Sequence, residues 1–239
     1  MTATATLPPG VDDELARTLV SLRRALHEHP ELALEEFETA DRLERALRGL
    51  GIAEIRRIGR TGLVARVAGR SSAAPVVAVR GDIDALPIQE ATGLPYASRV
   101  PGVMHACGHD VHATWAVGAA ALLLRQPASG DVLIVLQPAE ETGKGALEIL
   151  KSGALDQVRA IFGAHVDRRF AVGEVVADEG PLAASADMFE IQLSGSGAHA
   201  ARPHESRDPI VAAATLITSL QTIVSRRLNP AIAGVVTVA

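Results

Sequence analysis

The sequence predicts an α/β fold: an α/β/α sandwich around a mostly parallel sheet over residues 1–183, then part of a small α+β domain over 184–239. Three observations carry this reading. Short apolar runs alternate with amphipathic helical stretches along the first three quarters of the chain. The run "APVVAVRGD" is apolar on both faces, as a strand buried beneath helices requires. After "EGPLAASA" the texture changes to "DMFEIQL", whose alternation suits a sheet with one wetted face, so the boundary is placed near Ala184.

Taken in order, Leu15, Leu19, Leu22 and Leu26 recur at helical spacing until Pro30 stops them. A second amphipathic helix carries Phe37, Ala40, Leu43, Leu47 and Leu50 and ends at Gly51. "GLVARVAG" and "APVVAVRGD" read as strands, the second of them central. A helix is expected from about Asp110 to Leu124, followed by the buried strand "DVLIVLQPAEE". A short helix from about Gly145 to Ser152 leads to the strand "RAIFGAHV". In the second part, "DMFEIQL" and "AGVVTVA" are expected strands flanking a helix with Ala213, Ile217, Leu220 and Val224 on one side.

Composition narrows the functional classes. Aromatic residues make up only 3% of the 239 residues, so the core must rest on Ala, Val, Leu and Ile. A formal net charge of −5 provides no basic footprint for nucleic acid or an anionic membrane surface. The longest apolar stretch noted, "ATWAVGAAALLL", is too short to span a bilayer, and "MTATATLPPG" lacks the pattern of a secretory signal. One cysteine forms no intrachain disulfide and fits a reducing compartment, so a cytoplasmic protein is expected.

Four strand-to-loop junctions carry unusual polar groups. "RGDIDALP" places Asp82 and Asp84 just past one strand, and "HACGHD" places His105, Cys107, His109 and Asp110 just before a helix. "QPAEET" places Glu140 and Glu141 after another strand, and "GAHV" places His165 after a third. Taken singly, each has a plain reading: a buried small thiol, turn aspartates, a solvated loop, a satisfied histidine. Their convergence is what counts, because the carboxyl ends of strands in open α/β sheets form the ligand crevice. Mixed His, carboxylate and thiolate donors suit zinc or another borderline divalent ion better than magnesium or calcium. Two adjacent glutamates can divide the work, one holding metal while the other takes a proton from water. His109 and a helix start beside Cys107 favour its thiolate. HExxH, GxSxG and CxxC motifs are absent, and "ETGKGA" and "SGSGAH" fail as phosphate-loop and dinucleotide fingerprints.

With these residues in view, the chain resembles the M20 metallopeptidases, in the aminoacylase and amidohydrolase branch that includes hippurate and auxin-conjugate hydrolases. The matching strings are "RRALHEHPEL", "RGDIDALPIQE", "GVMHACGHDVHA", "LQPAEET", "GAHV", "ASADMFEI", "GAHAARPH" and "DPI", spread from about residue 20 to the C-terminus. The resemblance implies a zinc-peptidase-like catalytic domain and a lid through which the complete protein forms a homodimer. It implies hydrolysis of the amide bond of N-acyl amino acids by two divalent ions, Zn2+ or Mn2+, with Co2+ or Ni2+ as further options. Cys107, His109, Glu141 and His165 would be the metal ligands, and Glu140 the general base that activates a metal-bound water. Asp84 would orient the metal site, and His199 would hold the substrate or developing oxyanion from the lid; Asp110 and His112 would support. No nucleic acid or membrane partner is implied.

Members of that family are longer and supply a last histidine ligand that has no counterpart here, so a C-terminal truncation is expected. Two other readings stay open: a non-catalytic remnant that binds metal or dimerises, and a related di-metal peptidase.

Overall fold

The computed structural model describes residues 7–180 and 185–238. It divides into two compact units, Met1–Arg169 and Phe170–Ala239. The boundary expected near Ala184 lies outside the described residues.

In the first unit, helix α1 (Asp13–Glu28) opens on Asp12, whose carboxylate accepts from the Leu15 N–H at 2.8 Å. Helix α2 (Phe37–Gly49) follows and buries Ala40, Leu43 and Leu47. Then come strands β1 (Ile55–Ile58), β2 (Gly62–Val67) and β3 (Val76–Asp82), helix α3 (His109–Arg125), strand β4 (Val132–Gln137), helix α4 (Gly145–Lys151) and strand β5 (Val158–Gly163). The five strands form one sheet in the order β1-β2-β4-β3-β5.

The alternation of side chains across the sheet builds a core on each face. Leu63, Ala65 and Val67 of β2 and Ile134 and Leu136 of β4 join Leu26, Leu43, Leu47, Ala113 and Ala116 of the first three helices in the larger cluster. The intervening Val64 and Val135 face the other way, with Ile58, Ala78 and Ile149 of α4. The buried residues of the two core clusters are all Ala, Val, Leu or Ile, as the scarcity of aromatics requires.

The sheet is mixed rather than mostly parallel. β3 pairs parallel with β4 and β5, whereas β1–β2 and β2–β4 are antiparallel. The reason lies in connection lengths. β1, missed in the sequence because "IRRI" is polar at its centre, turns into β2 through Gly59–Thr61, and so short a link joins only antiparallel strands. The β2–β3 link is too short for a helical crossover, so β3 runs against β2. The α3 crossover then returns β4 parallel to β3 and between the two.

The second unit contains a 3-10 turn (Pro203–Glu205), helix α5 (Pro209–Thr222) and a π turn (Ile223–Arg227). Asp208 caps α5, accepting from the Ile210 and Val211 N–H groups. The expected strands at 187–193 and 233–238 do not form among the described residues, where the only pairing in this unit is an isolated bridge between Ser196 and Arg207. Pro209–Arg227 is long and apolar enough, by length and composition alone, to cross a membrane, which the sequence reading overlooked. Thr215, Thr218, Ser219 and Thr222 nonetheless form a polar stripe along it, with hydroxyls bonded back to backbone carbonyls one turn earlier.

Candidate metal centre

The polar residues gather where β3, β4 and β5 end, at the start of α3. Gly81 makes this possible: a Cβ there would lie 2.4 Å from the His112 carbonyl oxygen, so only glycine lets α3 approach the end of β3. Asp82, the next residue, then meets His112, whose Nδ1 donates to Oδ1 at 2.7 Å. The His112 Nε2 accepts from the Val166 N–H at 3.0 Å. Both ring nitrogens of His112 are therefore committed, and the ring ties the loop after β5 to the end of β3. Burial pushes the Asp82 carboxyl up, but the His112 bond and Arg80, 2.7 Å from Oδ2, hold it below the usual range.

His109 has a different arrangement. Its Nδ1 donates to Asp84, with the backbone oxygen at 2.8 Å and the carboxylate Oδ1 at 3.2 Å. That fixes the tautomer and turns the Nε2 lone pair inward. Nε2 lies 3.7 Å from each of Asp82 Oδ2, Glu140 Oε2 and Glu141 Oε1, yet makes no hydrogen bond. Glu141 Oε1 is likewise buried and without a hydrogen-bond partner. The other Asp84 oxygen, Oδ2, accepts from the Glu141 N–H at 3.0 Å, so one aspartate orients both the histidine and the glutamate segment.

Cys107 comes just before Gly108, whose φ of 85° starts α3 in the left-handed region where a side chain would also strike Val166. Its Sγ sits 3.3 Å from His165 Nε2, and His165 Nδ1 donates to the Val166 carbonyl at 2.7 Å, leaving Nε2 to face the sulfur. With no cation beside it, burial and the carboxylates of Glu141, Glu140 and Asp82 push the Cys107 thiol up to about 12, whereas a bound cation would favour the thiolate.

The sequence profile of Peptidase family M20/M25/M40 matches residues 78–233, which spans every residue just described. The chain belongs to this family. It is 48% identical over 227 residues to the N-acetyl-L-cysteine deacetylase of Bacillus subtilis (strain 168), covering 94% of this chain and 54% of that protein. It is 45% identical over 223 residues to the IAA-amino acid hydrolase ILR1-like 4 of Arabidopsis thaliana, covering 92% of this chain and 50% of the other. These matches fall in the aminoacylase and IAA-amino acid hydrolase branch of the M20 family. The crystal structure of the Bacillus subtilis YXEP protein, a dinuclear metal binding peptidase from the M20 family, superposes with a TM-score of 0.71 at 41% identity. That match covers 89% of this chain and 57% of the other. The chain spans about half the length of the relatives it matches.

The donors fit the M20 expectation of metal. Two buried polar atoms, His109 Nε2 and Glu141 Oε1, face one another unpaired, an arrangement costing about 1–3 kcal/mol for each atom unless something satisfies both. One ligand atom from each of Cys107, His109 and His165 lies within 4.8 Å of the others, and the same holds for His109, Glu140 and Glu141. A third grouping, Asp82 with His109 and His112, has its His112 nitrogens already engaged.

Six of the seven site residues named from sequence thus converge: Asp84, Cys107, His109, Glu140, Glu141 and His165. His199 belongs to the second unit. There its Nδ1 accepts from the Ala201 N–H at 3.1 Å, and it lines a concavity of about 410 Å³ with Ser196 and Asp208.

The supporting network was less legible. Asp110 accepts from His27 Nδ1 at 2.7 Å and pairs with Arg23 at 2.8 Å, while His27 Nε2 reaches Glu90 at 3.2 Å. "RRALHEHPEL" therefore packs behind α3 instead of lining the donors. His105 is buried with neither ring nitrogen hydrogen-bonded, and burial pushes its pKa down to about 4. Nothing in its spacing distinguished it from His109.

Proposed function

We propose that this chain carries the catalytic centre of a metal-dependent amidohydrolase that cleaves the amide bond of N-acyl amino acids. Cys107, His109, Glu141 and His165 would hold a pair of divalent ions, zinc or manganese, with cobalt or nickel as further options. The observation that carries the reading is His109 Nε2: buried, held in one tautomer by Asp84, and aimed at two glutamates 3.7 Å away. The names of the similar proteins, a deacetylase of N-acetyl-L-cysteine and a hydrolase of IAA-amino acids, support the substrate class.

When bound, the ions would act as Lewis acids toward the amide carbonyl and toward water. Glu140 is the more exposed glutamate, its side chain 38% accessible against 24% for Glu141. It takes a proton from the attacking water as the oxygen bonds to the acyl carbon. It then passes that proton to the amine nitrogen as the C–N bond breaks, leaving a free amino acid and a carboxylate. Asp84 keeps the His109 ring turned inward throughout, as outer hydrogen-bond partners do for ligating histidines. His199 would steady the substrate carbonyl.

Residues 1–183 would form the metal-binding domain and 184–239 part of a lid that pairs two copies in the complete protein. A cytoplasmic location suits a lone cysteine kept reduced as a ligand.

The test is hydrolysis of a panel of N-acetyl, N-benzoyl and indole-3-acetyl amino acids beside a peptide panel, for the wild type and Glu140→Gln. We expect turnover of the N-acyl panel, with the substitution lowering kcat by about 10²–10⁴-fold while metal content stays unchanged. Turnover of peptides alone would favour the di-metal peptidase reading. Metal uptake without turnover of either panel would favour the remnant.

A further inference from the structure

Glu36 is the N-cap residue of α2 and has none of its surface exposed, yet its side chain makes no capping hydrogen bond to that helix. Its carboxyl reaches two distant segments instead. Oε2 accepts from the Thr61 hydroxyl at 2.6 Å, at the turn between β1 and β2. Oε1 accepts from the Ala139 backbone N–H at 2.8 Å, 103 residues along the chain. Ala139 is fully buried and has a φ of 48°, one of two positive values at non-glycine residues among those described. An alanine stays in that region only where its surroundings over-determine it. The Ala139 carbonyl is held too, by the Lys144 and Gly145 N–H groups at 3.2 and 3.3 Å.

The next two residues are Glu140 and Glu141. Asp84 grips this turn through the Glu141 N–H, and Glu36 grips it through Ala139 from a separate part of the chain.

We propose that Glu36 is a positioning residue: its carboxyl fixes the left-handed peptide at Ala139 and so sets the direction in which Glu140 and Glu141 project toward His109. This rests on the metal-centre reading above. Without the acceptor, the buried Ala139 N–H is left unpaired and the residue relaxes toward the right-handed region, turning both glutamates. Glutamine at position 36 keeps an acceptor for Ala139 and offers its own N–H to the Thr61 oxygen. Methionine keeps the size and loses the acceptor.

The experiment compares the wild-type chain with Glu36→Gln and Glu36→Met by two measurements: amide exchange followed by NMR on metal-free protein, and zinc affinity by chelator competition. In Glu36→Met, exchange at Ala139 and Glu141 should rise roughly tenfold relative to Val135 in β4. Zinc affinity should fall roughly tenfold or more, as when a partner behind a metal ligand is removed. Glu36→Gln should keep both near wild type. A folded Glu36→Met with unchanged exchange at Ala139 and Glu141 overturns the proposal. So does equal acceleration at Val135, which marks a general loss of stability. If Glu36→Met does not fold, Thr61→Val loosens the same carboxyl and is read by the same local comparison, with the same two outcomes. A wild-type chain that binds no zinc would sink the metal reading, while exchange in the metal-free protein would still decide the role of Glu36.

Discussion

His109 and His112 stand one helical turn apart on α3 and differ in what their second nitrogen meets. His112 donates to Asp82 and accepts from Val166, so it has nothing left to offer an ion. His109 spends one nitrogen on Asp84 and keeps the other free among carboxylates. Burial pushes the His109 pKa down, but the Asp84 bond and the surrounding carboxylates outweigh it and raise the pKa above the ordinary value. Further back, the hydrogen bond to Asp110 raises the pKa of His27 against the effect of burial, and burial of Asp110 is outweighed by the same bond. A histidine whose folded pKa is raised contributes stability that is complete below its unfolded pKa of about 6.5 and is lost as pH climbs through the folded value. Asp110 contributes in the opposite sense, losing its share only as pH falls through its lowered value. His27→Ala should therefore cost about 3 kcal/mol near pH 6, less at pH 9, in urea unfolding. A cost that grew with pH would contradict this pairing.

At the scale of elements, the centre depends on how closely α3 meets the end of β3. Gly81→Ala puts a methyl group against the His112 carbonyl, where backbone cannot yield cheaply. The expected loss is about 1–3 kcal/mol in thermal unfolding, with weakened metal uptake because the Asp82–His112 bond is stretched. Unchanged stability would mean that α3 tolerates a shift. The interior strands were legible because "VVAV" and "VLIVL" are apolar at every position, so both faces can pack against the cores on either side of the sheet. β1 was not, because its identity comes from pairing with β2 through a tight turn. "DMFEIQL" shows the reverse error: alternation marks a face, but a strand also needs a partner, and none pairs with it among the described residues. The donor residues were legible through their motifs, whereas Glu36 and Glu90 were not. Each sits in a polar stretch whose burial is decided by segments far away in sequence.

For the whole molecule, the first unit assembles donors from three separate loops onto one sheet end, and it does so within a chain about half as long as its M20 relatives. What matters most is whether those donors hold metal in this chain. The most direct measurement is metal content per folded chain by plasma mass spectrometry, after purification without chelator, for the wild type, Cys107→Ala and His109→Ala. About two divalent ions per wild-type chain are expected, as in two-metal hydrolase sites, and fewer in both variants. A folded wild-type chain that takes up none, or variants that take up as much as the wild type, would contradict this expectation.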